Sequence, residues 1–576
     1  MSSVKLVKNK KKDSTLKKTC VLFQDFLDVI ISLFIVIIIV GMPFYNKNGY
    51  GSIGTDKYNY FKNSCIGIGT ILIPLAGVCL LLHIIWLKKD EGASLAERFK
   101  ALLKGFTVTD ICALVYGIAA ILSYVSSDYK SEALWGTSSW YMGLFTQLAF
   151  VMIYFMISRF WKARLWVPAL IIPVSAAVFV IGYLNRFGIT PVDLGDAGHN
   201  FISTIGNINW YCGYLVTVLF GILYLVLNSE LEKVWIRRCL YGYVGIGFAT
   251  LITQGSNSGF LAFIGVMYLL FLLSAGHEKR QQQFWNIILI LGMVCLITTL
   301  IRLLFPEAFV LQGEYADFAT DLLTTGFVPV LITLAAAGIR FWLYRCSQKG
   351  TYPKRFFKIT ALVIGITAAV LAVVIVILIV VNTIWPGSIG PLSGISVFNF
   401  SLEWGSNRGT TWRAGILCFL EQGFWKKLVG VGPDCLAVYL YNDGSREILA
   451  MVNERFSNLR LTNAHNEWLN LLVNVGLLGM VSYAAMLVSA AVRYIKAGIR
   501  SNSIKVSIIG ACGFSILAYC INNMVSFQQA MGSTILFVIM GMGGAFIRER
   551  NLSESENIRE VKGNNRGRSR NSERPQ

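Results

Sequence analysis

His465 lies in Thr462-Asn463-Ala464-His465-Asn466-Glu467-Trp468-Leu469, where a polar run gives way to the apolar Leu471-Leu472-Val473. Thr462 or Asn463 can cap a helix beginning there, which predicts the imidazole in its first turn. The positive end of a helix disfavours imidazolium, so the ring is expected to be neutral near pH ~7 and able to accept a proton. Free backbone N–H groups at the same helix end suit a phosphate or pyrophosphate. A base and an anion site can thus share one location. A histidine at a helix start is also often structural or interfacial, so its neighbours must decide.

Upstream, Ser406-Asn407-Arg408-Gly409-Thr410-Thr411-Trp412-Arg413-Ala414-Gly415 sets two guanidinium groups five residues apart at the start of an expected helix. Arginine grips pyrophosphate bidentately without a metal. Arg186, in Asn185-Arg186-Phe187 just past an apolar run, is a third candidate, although an arginine at the end of a span often only snorkels to the interface. Of the other histidines, His83 falls near the inner end of a span and His277 in a basic loop. His199 precedes Asn200 in a short outer loop without a helix-start context.

The elements that must hold these residues are membrane helices. Of the 576 residues 55% are hydrophobic and only 14% charged, far below the roughly 25% charged of a soluble domain. Runs such as Leu362 to Val381 reach the roughly 20 apolar residues that cross a hydrocarbon core. The net charge of +20 is spread over short clusters beside apolar segments, among them Lys88-Lys89, Arg237-Arg238, Lys279-Arg280 and Lys354-Arg355. That distribution fits cytoplasmic loops and not a nucleic-acid footprint, so no nucleic-acid partner is expected.

The expected fold is all-α and polytopic, with about fourteen transmembrane helices. Spans are predicted near 20–42, 63–87, 107–126, 142–160, 165–184, 209–227, 239–254, 258–275, 284–304, 323–344, 359–384, 466–490, 506–524 and 531–547. With a cytoplasmic N-terminus every second loop is basic, 88–106 among them. The chain then divides into a basic cytoplasmic N-terminus (1–19), a membrane domain of about eleven helices (20–385) and a large extracytoplasmic loop (386–463). About three C-terminal membrane helices (464–547) and a disordered basic cytoplasmic tail (548–576) complete it.

Two breaks in the pattern stand out. Gln254-Gly255-Ser256-Asn257-Ser258-Gly259 interrupts an apolar region and is expected to form a polar turn between two short helices. Non-helical backbone at that depth survives only inside protein or beside a wet cavity. The loop 386–463 is too long for a simple connection. Its apolar anchors, including Trp404, Trp412, Phe419 and Tyr439, predict an ordered cap with a helix over 411–421. Twelve cysteines form no Cys-x-x-Cys pair, and only Cys418 and Cys435 share that loop, their pairing left open.

Asn407-Arg408-Gly409-Thr410-Thr411-Trp412-Arg413-Ala414-Gly415, followed by Phe424-Trp425 and Val429-Gly430-Val431-Gly432-Pro433-Asp434, resembles the signature of the O-antigen ligase and polymerase family. So do Ala464-His465-Asn466-Glu467-Trp468-Leu469, Gly476-Leu477-Leu478-Gly479, Ile205-Gly206-Asn207-Ile208-Asn209-Trp210 and Glu132-Ala133-Leu134-Trp135-Gly136. The resemblance implies a glycosyltransferase of the membrane-embedded C type, without metal or cofactor, acting outside the plasma membrane in cell-surface polysaccharide synthesis. The implied donor is a glycan on undecaprenyl pyrophosphate, and the acceptor a glycan or lipid hydroxyl. Membrane lipids and polysaccharide-assembly proteins are the other implied partners.

His465 and Arg408 are then the implied catalytic residues, and Arg186, Arg413, Asn466, Trp412 and Asn207 the implied substrate contacts. No Asp-x-Asp pair falls on the outer side, and Asp193 with Asp196 is the alternative metal-ligand pair. The family's Ser-Arg pair is replaced by Ser256-Asn257, so Arg186 or Arg408 is expected to supply the missing charge. The usual twelve spans are exceeded, with 284–304 and 323–344 as additions. A lipid-linked oligosaccharide flippase or a non-catalytic assembly protein competes with the enzyme, but no matched pair of broken helices marks a transporter.

Overall fold

The computed structural model describes residues 2–91, 105–231, 233–311, 318–457 and 459–572. The basic loop expected at 88–106 falls mostly outside the described residues. Helices dominate, and the two short strands Phe201–Ile202 and Gly206–Asn207 pair antiparallel, Ile202 opposite Gly206. Among the described residues twelve helices are long and apolar enough to cross a membrane, and each falls on an expected span. The chain is therefore a multi-pass membrane protein. The two remaining expected spans are also helical. Leu144–Phe160 is apolar but only 17 residues long, and Val234–Thr253 carries Arg237 and Arg238 near its start. Length and composition thus support twelve crossings directly, against the fourteen expected.

Helix Ile208–Asn228 lies at the centre, its side chains buried over almost its whole length. Ile504–Asn522, Asn257–Ser274, Val234–Thr253 and the start of Ala530–Ser572 pack around it, and Gly476–Gly498 packs on Ile504–Asn522. Small residues let these helices approach closely: a Cβ added at Gly498 would lie 2.4 Å from the Cα of Gly510. Lys354–Ile384 stands at the other extreme, with nearly every side chain exposed and apolar, as suits a helix facing lipid.

One expected span is broken. Residues 466–490 form two helices, Glu467–Asn474 and Gly476–Gly498, joined at Gly476 with φ 68°. Only glycine fits there, because a Cβ would lie 2.4 Å from the backbone of Leu428.

The loop 386–463 folds as a small helical cap. It contains helices Trp404–Glu421, Phe424–Val429, Leu436–Asp443 and Arg446–Phe456. These enclose their own apolar core, with Ala414, Cys418, Cys435, Leu440, Ile448 and Val452 all buried. Cys418 and Cys435 are both free thiols, which closes the question of their pairing. In the tail, helix Ala530–Ser572 covers the described part of the segment expected to be disordered, and 573–576 lie outside the described residues. A chain leaving a buried helix needs no new nucleus to extend it, and an ion pair between Arg550 and Glu554 (3.4 Å) supports the first exposed turn.

Candidate functional site

The cap face of the bundle holds a polar cavity of about 430 Å³. Its lining includes Arg186, His199, Asn209, Gly255, Ser256, Asn257, Ser406, Arg408 and His465. Six separate stretches of sequence therefore meet at one place. Among the described residues two arginines line it and no carboxylate does, so the fixed charge of that lining is positive.

Arg186 follows helix Ile171–Asn185 and is 2% exposed. Its Nε donates to the Thr253 carbonyl (3.0 Å), one Nη to Gln254 (2.6 Å) and the other to His199 (2.9 Å). The first two carbonyls belong to the C-terminal end of Val234–Thr253, whose dipole favours a cation. Burial pushes the guanidinium down to about 10, so it stays charged at neutral pH. Carbonyl dipoles hold the group in place but do not neutralise it, and among the described residues no carboxylate meets it.

The turn that Arg186 grips is Gln254-Gly255-Ser256, the polar break expected between two helices. Gly255 adopts φ 87°. Gln254 closes the turn through its own side chain, accepting from Ser256 N (2.7 Å) and donating to Ser256 O (2.5 Å). Ser256 Oγ donates to Asn209 Oδ1 (2.9 Å), linking the turn to the central helix. Helix Asn257–Ser274 begins immediately after, and its first residue lines the arginines' cavity, so the positive end of that helix lies beside it.

Arg408 is presented by the cap. Gly405, Ser406 and Asn407 are consecutively left-handed, with φ of 58°, 59° and 69°, and only then does the right-handed helix run on to Glu421. Such residues cost about 1–2 kcal/mol each unless glycine. Arg455 braces the turn, donating from Nε to Asn407 Oδ1 (2.6 Å) and pairing with Glu403 at 3.1 Å. Arg408 itself donates to the Gly405 carbonyl (2.7 Å) and to that of Val525 (3.1 Å), spanning cap and membrane helices.

His465 corrects an expectation. It does not sit in the first turn of a helix: Asn466 is the cap, accepting from Leu469 N (3.0 Å), and the helix starts at Glu467. His465 precedes the cap at φ 47°, and its amide donates to Asn463 Oδ1 (2.9 Å). Phe527 meets the ring edge to face, with centroids 5.1 Å apart. Burial first, and then the charge of Arg408, push the imidazole down to about 4. The ring is neutral as expected, for a different reason. Its Nδ1 is buried and has no hydrogen-bond partner among the described residues. Behind it, buried Glu467 accepts from Tyr519 OH (3.2 Å) and from Asn523 Nδ2, pinning the helix start.

The other sequence candidates lie off the lining. Arg413 is exposed and faces Glu447 at 3.8 Å. Trp412 packs on Trp404, centroids 5.5 Å apart. Asn466 and Asn207 are both helix caps, Asn207 accepting from Asn209 N (2.9 Å). Asp193 and Asp196 are exposed and accept from Gly195 N and Gly198 N within their own turns.

Sequence reasoning set His199 aside for want of a helix-start context and did not single out Asn209, although Asn209 stands in a motif already quoted. Phe527 and Val525 carried no signal, since a loop between two apolar helices does not reveal what it packs against. No protein-family model matches the chain, and no curated protein matches it.

Proposed function

We propose that the chain is a glycosyltransferase that moves a glycan from undecaprenyl pyrophosphate to an acceptor hydroxyl, at the outer face of the plasma membrane, in cell-surface polysaccharide synthesis. The observation that carries this reading is the composition of one cavity: a neutral imidazole, two guanidinium groups, a helix N-terminus and, among the described residues, no carboxylate. Such a set suits an anion that must depart and a hydroxyl that must lose its proton.

In the proposed reaction His465 takes the proton of the acceptor hydroxyl as its oxygen bonds to the anomeric carbon. The bond from that carbon to the pyrophosphate oxygen breaks with its electron pair, and undecaprenyl pyrophosphate leaves. Arg408 and Arg186 stabilise the charge that collects on the leaving oxygen. No metal is needed, because the arginines and the helix end already supply positive charge. Arg186 rests on the Gly255-Ser256-Asn257 turn, and so supplies the charge that an arginine at position 257 would otherwise provide. Asp193 and Asp196, each turned onto its own loop, offer no competing ligand pair at the cavity.

The test uses the purified full chain with a lipid-pyrophosphate-linked glycan and an acceptor glycan, with EDTA present, following release of undecaprenyl pyrophosphate. Turnover by the wild type and its near-loss in Arg408→Lys are expected, since a point charge cannot replace the bidentate fork. Absence of turnover with every lipid-linked glycan offered, or full activity of Arg408→Lys, would contradict the proposal.

A further inference from the structure

At the opposite end of the central helix, Asn228 opens onto a second polar cavity of about 380 Å³. The helix between, at 1.5 Å per residue, is roughly 30 Å long, about one hydrocarbon thickness. Among the described residues Arg237, Lys279 and Arg280 line this cavity against a single carboxylate, Glu230. Glu230 is already taken by Lys279 (3.0 Å). Among the described residues the two arginines meet neutral groups: Arg237 donates to the Leu231 carbonyl (2.8 Å), and Arg280 to Asn502 Oδ1 (3.3 Å) and the Ile499 carbonyl (3.4 Å).

A separate groove of about 270 Å³ begins where this cavity ends. Leu231 and Leu240 line both. From them the groove runs along the bundle between Ile222, Ile508 and Ala169, and its walls are almost purely apolar. A cationic pocket that opens into an apolar channel at the level of a membrane helix end matches one class of molecule, an amphiphile with an anionic head.

We propose that this paired cavity and groove bind an anionic phospholipid, its phosphate held by Arg237 and Arg280 and one acyl chain lying in the groove. Another groove, lined by Arg159 and Arg548, fits less well, because Arg159 is paired with Asp110 and Arg548 is committed to the carbonyls of Ser158 and Trp161. At the proposed site the half-buried guanidinium groups of Arg237 and Arg280 have no carboxylate partner among the described residues, and a phosphate would supply the charge-assisted hydrogen bonds that their neutral partners do not. The site is separate from the cap-face cavity and does not depend on the activity proposed for it.

The experiment measures lipid retention by native mass spectrometry of the full chain in detergent, titrated with phosphatidylglycerol, phosphatidylcholine or inorganic phosphate. Phosphatidylglycerol should bind at least about tenfold more tightly than phosphatidylcholine, and inorganic phosphate should compete poorly. Arg237→Gln with Arg280→Gln should abolish the preference. Ala169→Trp, which fills the groove from an exposed position, should weaken both lipids. Lys279→Gln, whose side chain is 82% exposed, leaves folding secure if the double variant does not purify, and should reduce the preference in part. Equal retention of the two lipids overturns the proposal. So does unaltered preference in the arginine variants, or strong competition by inorganic phosphate with no effect of Ala169→Trp, which would mark a soluble-anion pocket.

Discussion

At the scale of single residues, His465 and Arg408 act on each other. The imidazole can accept a proton only when neutral, so a reaction that uses it fails as pH falls through its pKa, held near about 4 by burial and by Arg408. Replacing Arg408 with glutamine removes a cation and must raise that pKa. The acid limb of kcat/KM should therefore move to higher pH in Arg408→Gln, whatever the loss in rate. A bound pyrophosphate acts in the same direction as loss of the arginine, so the acid limb of kcat should lie above that of kcat/KM. Identical limbs in wild type and Arg408→Gln would mean that the two groups are not coupled. Arg413→Lys should be nearly silent, because Arg413 is exposed and faces only Glu447. His465 and Arg408 were legible in the sequence because each stands where a polar motif meets an apolar run. Arg186 was legible only as a candidate: nothing in Asn185-Arg186-Phe187 shows that its guanidinium reaches 67 and 68 residues along the chain to Thr253 and Gln254.

Elements position these groups through backbone that ordinary helices do not allow. The left-handed run Gly405-Ser406-Asn407 aims Arg408, and Arg455 holds that run from a neighbouring cap helix. Arg455→Ala should raise KM for the lipid-linked donor several-fold while the protein stays folded, since Arg455 touches the turn and is not part of the cavity lining. Gly476 has the same standing for His465, because it turns helix Glu467–Asn474 away from Gly476–Gly498. Gly476→Ala places a Cβ against the Leu428 backbone at positive φ, and should cost more than about 1–2 kcal/mol. Gly423→Ala, whose Cβ meets nothing, should leave the melting temperature unchanged within a degree or two. A thermal melt of both in detergent separates them. The polar turn at 254–259 was readable in advance because six small or polar residues interrupt an apolar run. The break at Val475-Gly476 was not, because Leu471 to Met480 reads as continuous span with two tolerated glycines, and only packing against Leu428 demands the turn.

At the scale of the whole molecule, apolar run length made nearly every membrane helix legible, since a span needs roughly 20 apolar residues and little else. Packing between spans was not legible, because lipid and protein neighbours are equally apolar and select the same residues. Ile208–Asn228 and Lys354–Ile384 look alike in sequence, yet one is the core of the bundle and the other is exposed along its length. The buried leucines of Ile208–Asn228 also separate the cap-face cavity from the opposite one, which suits a reaction confined to one face better than passage across it. The proposed function requires the cap to face outward. A cysteine introduced at Ser445, an N-cap on the cap surface, should react with a membrane-impermeant maleimide in intact cells. Labelling only after permeabilisation would place the cavity on the wrong side for an external acceptor.

The most direct measurement is turnover of His465→Gln by purified protein given lipid-linked donor and acceptor. Glutamine keeps hydrogen bonding but cannot take the proton, and general-base assistance is worth roughly 10² to 10⁴ in rate. The predicted result is loss of product formation on that scale, with donor binding and melting temperature close to wild type. Near-normal turnover would contradict the assignment of His465 as the base and leave the cavity as an anion-binding site only.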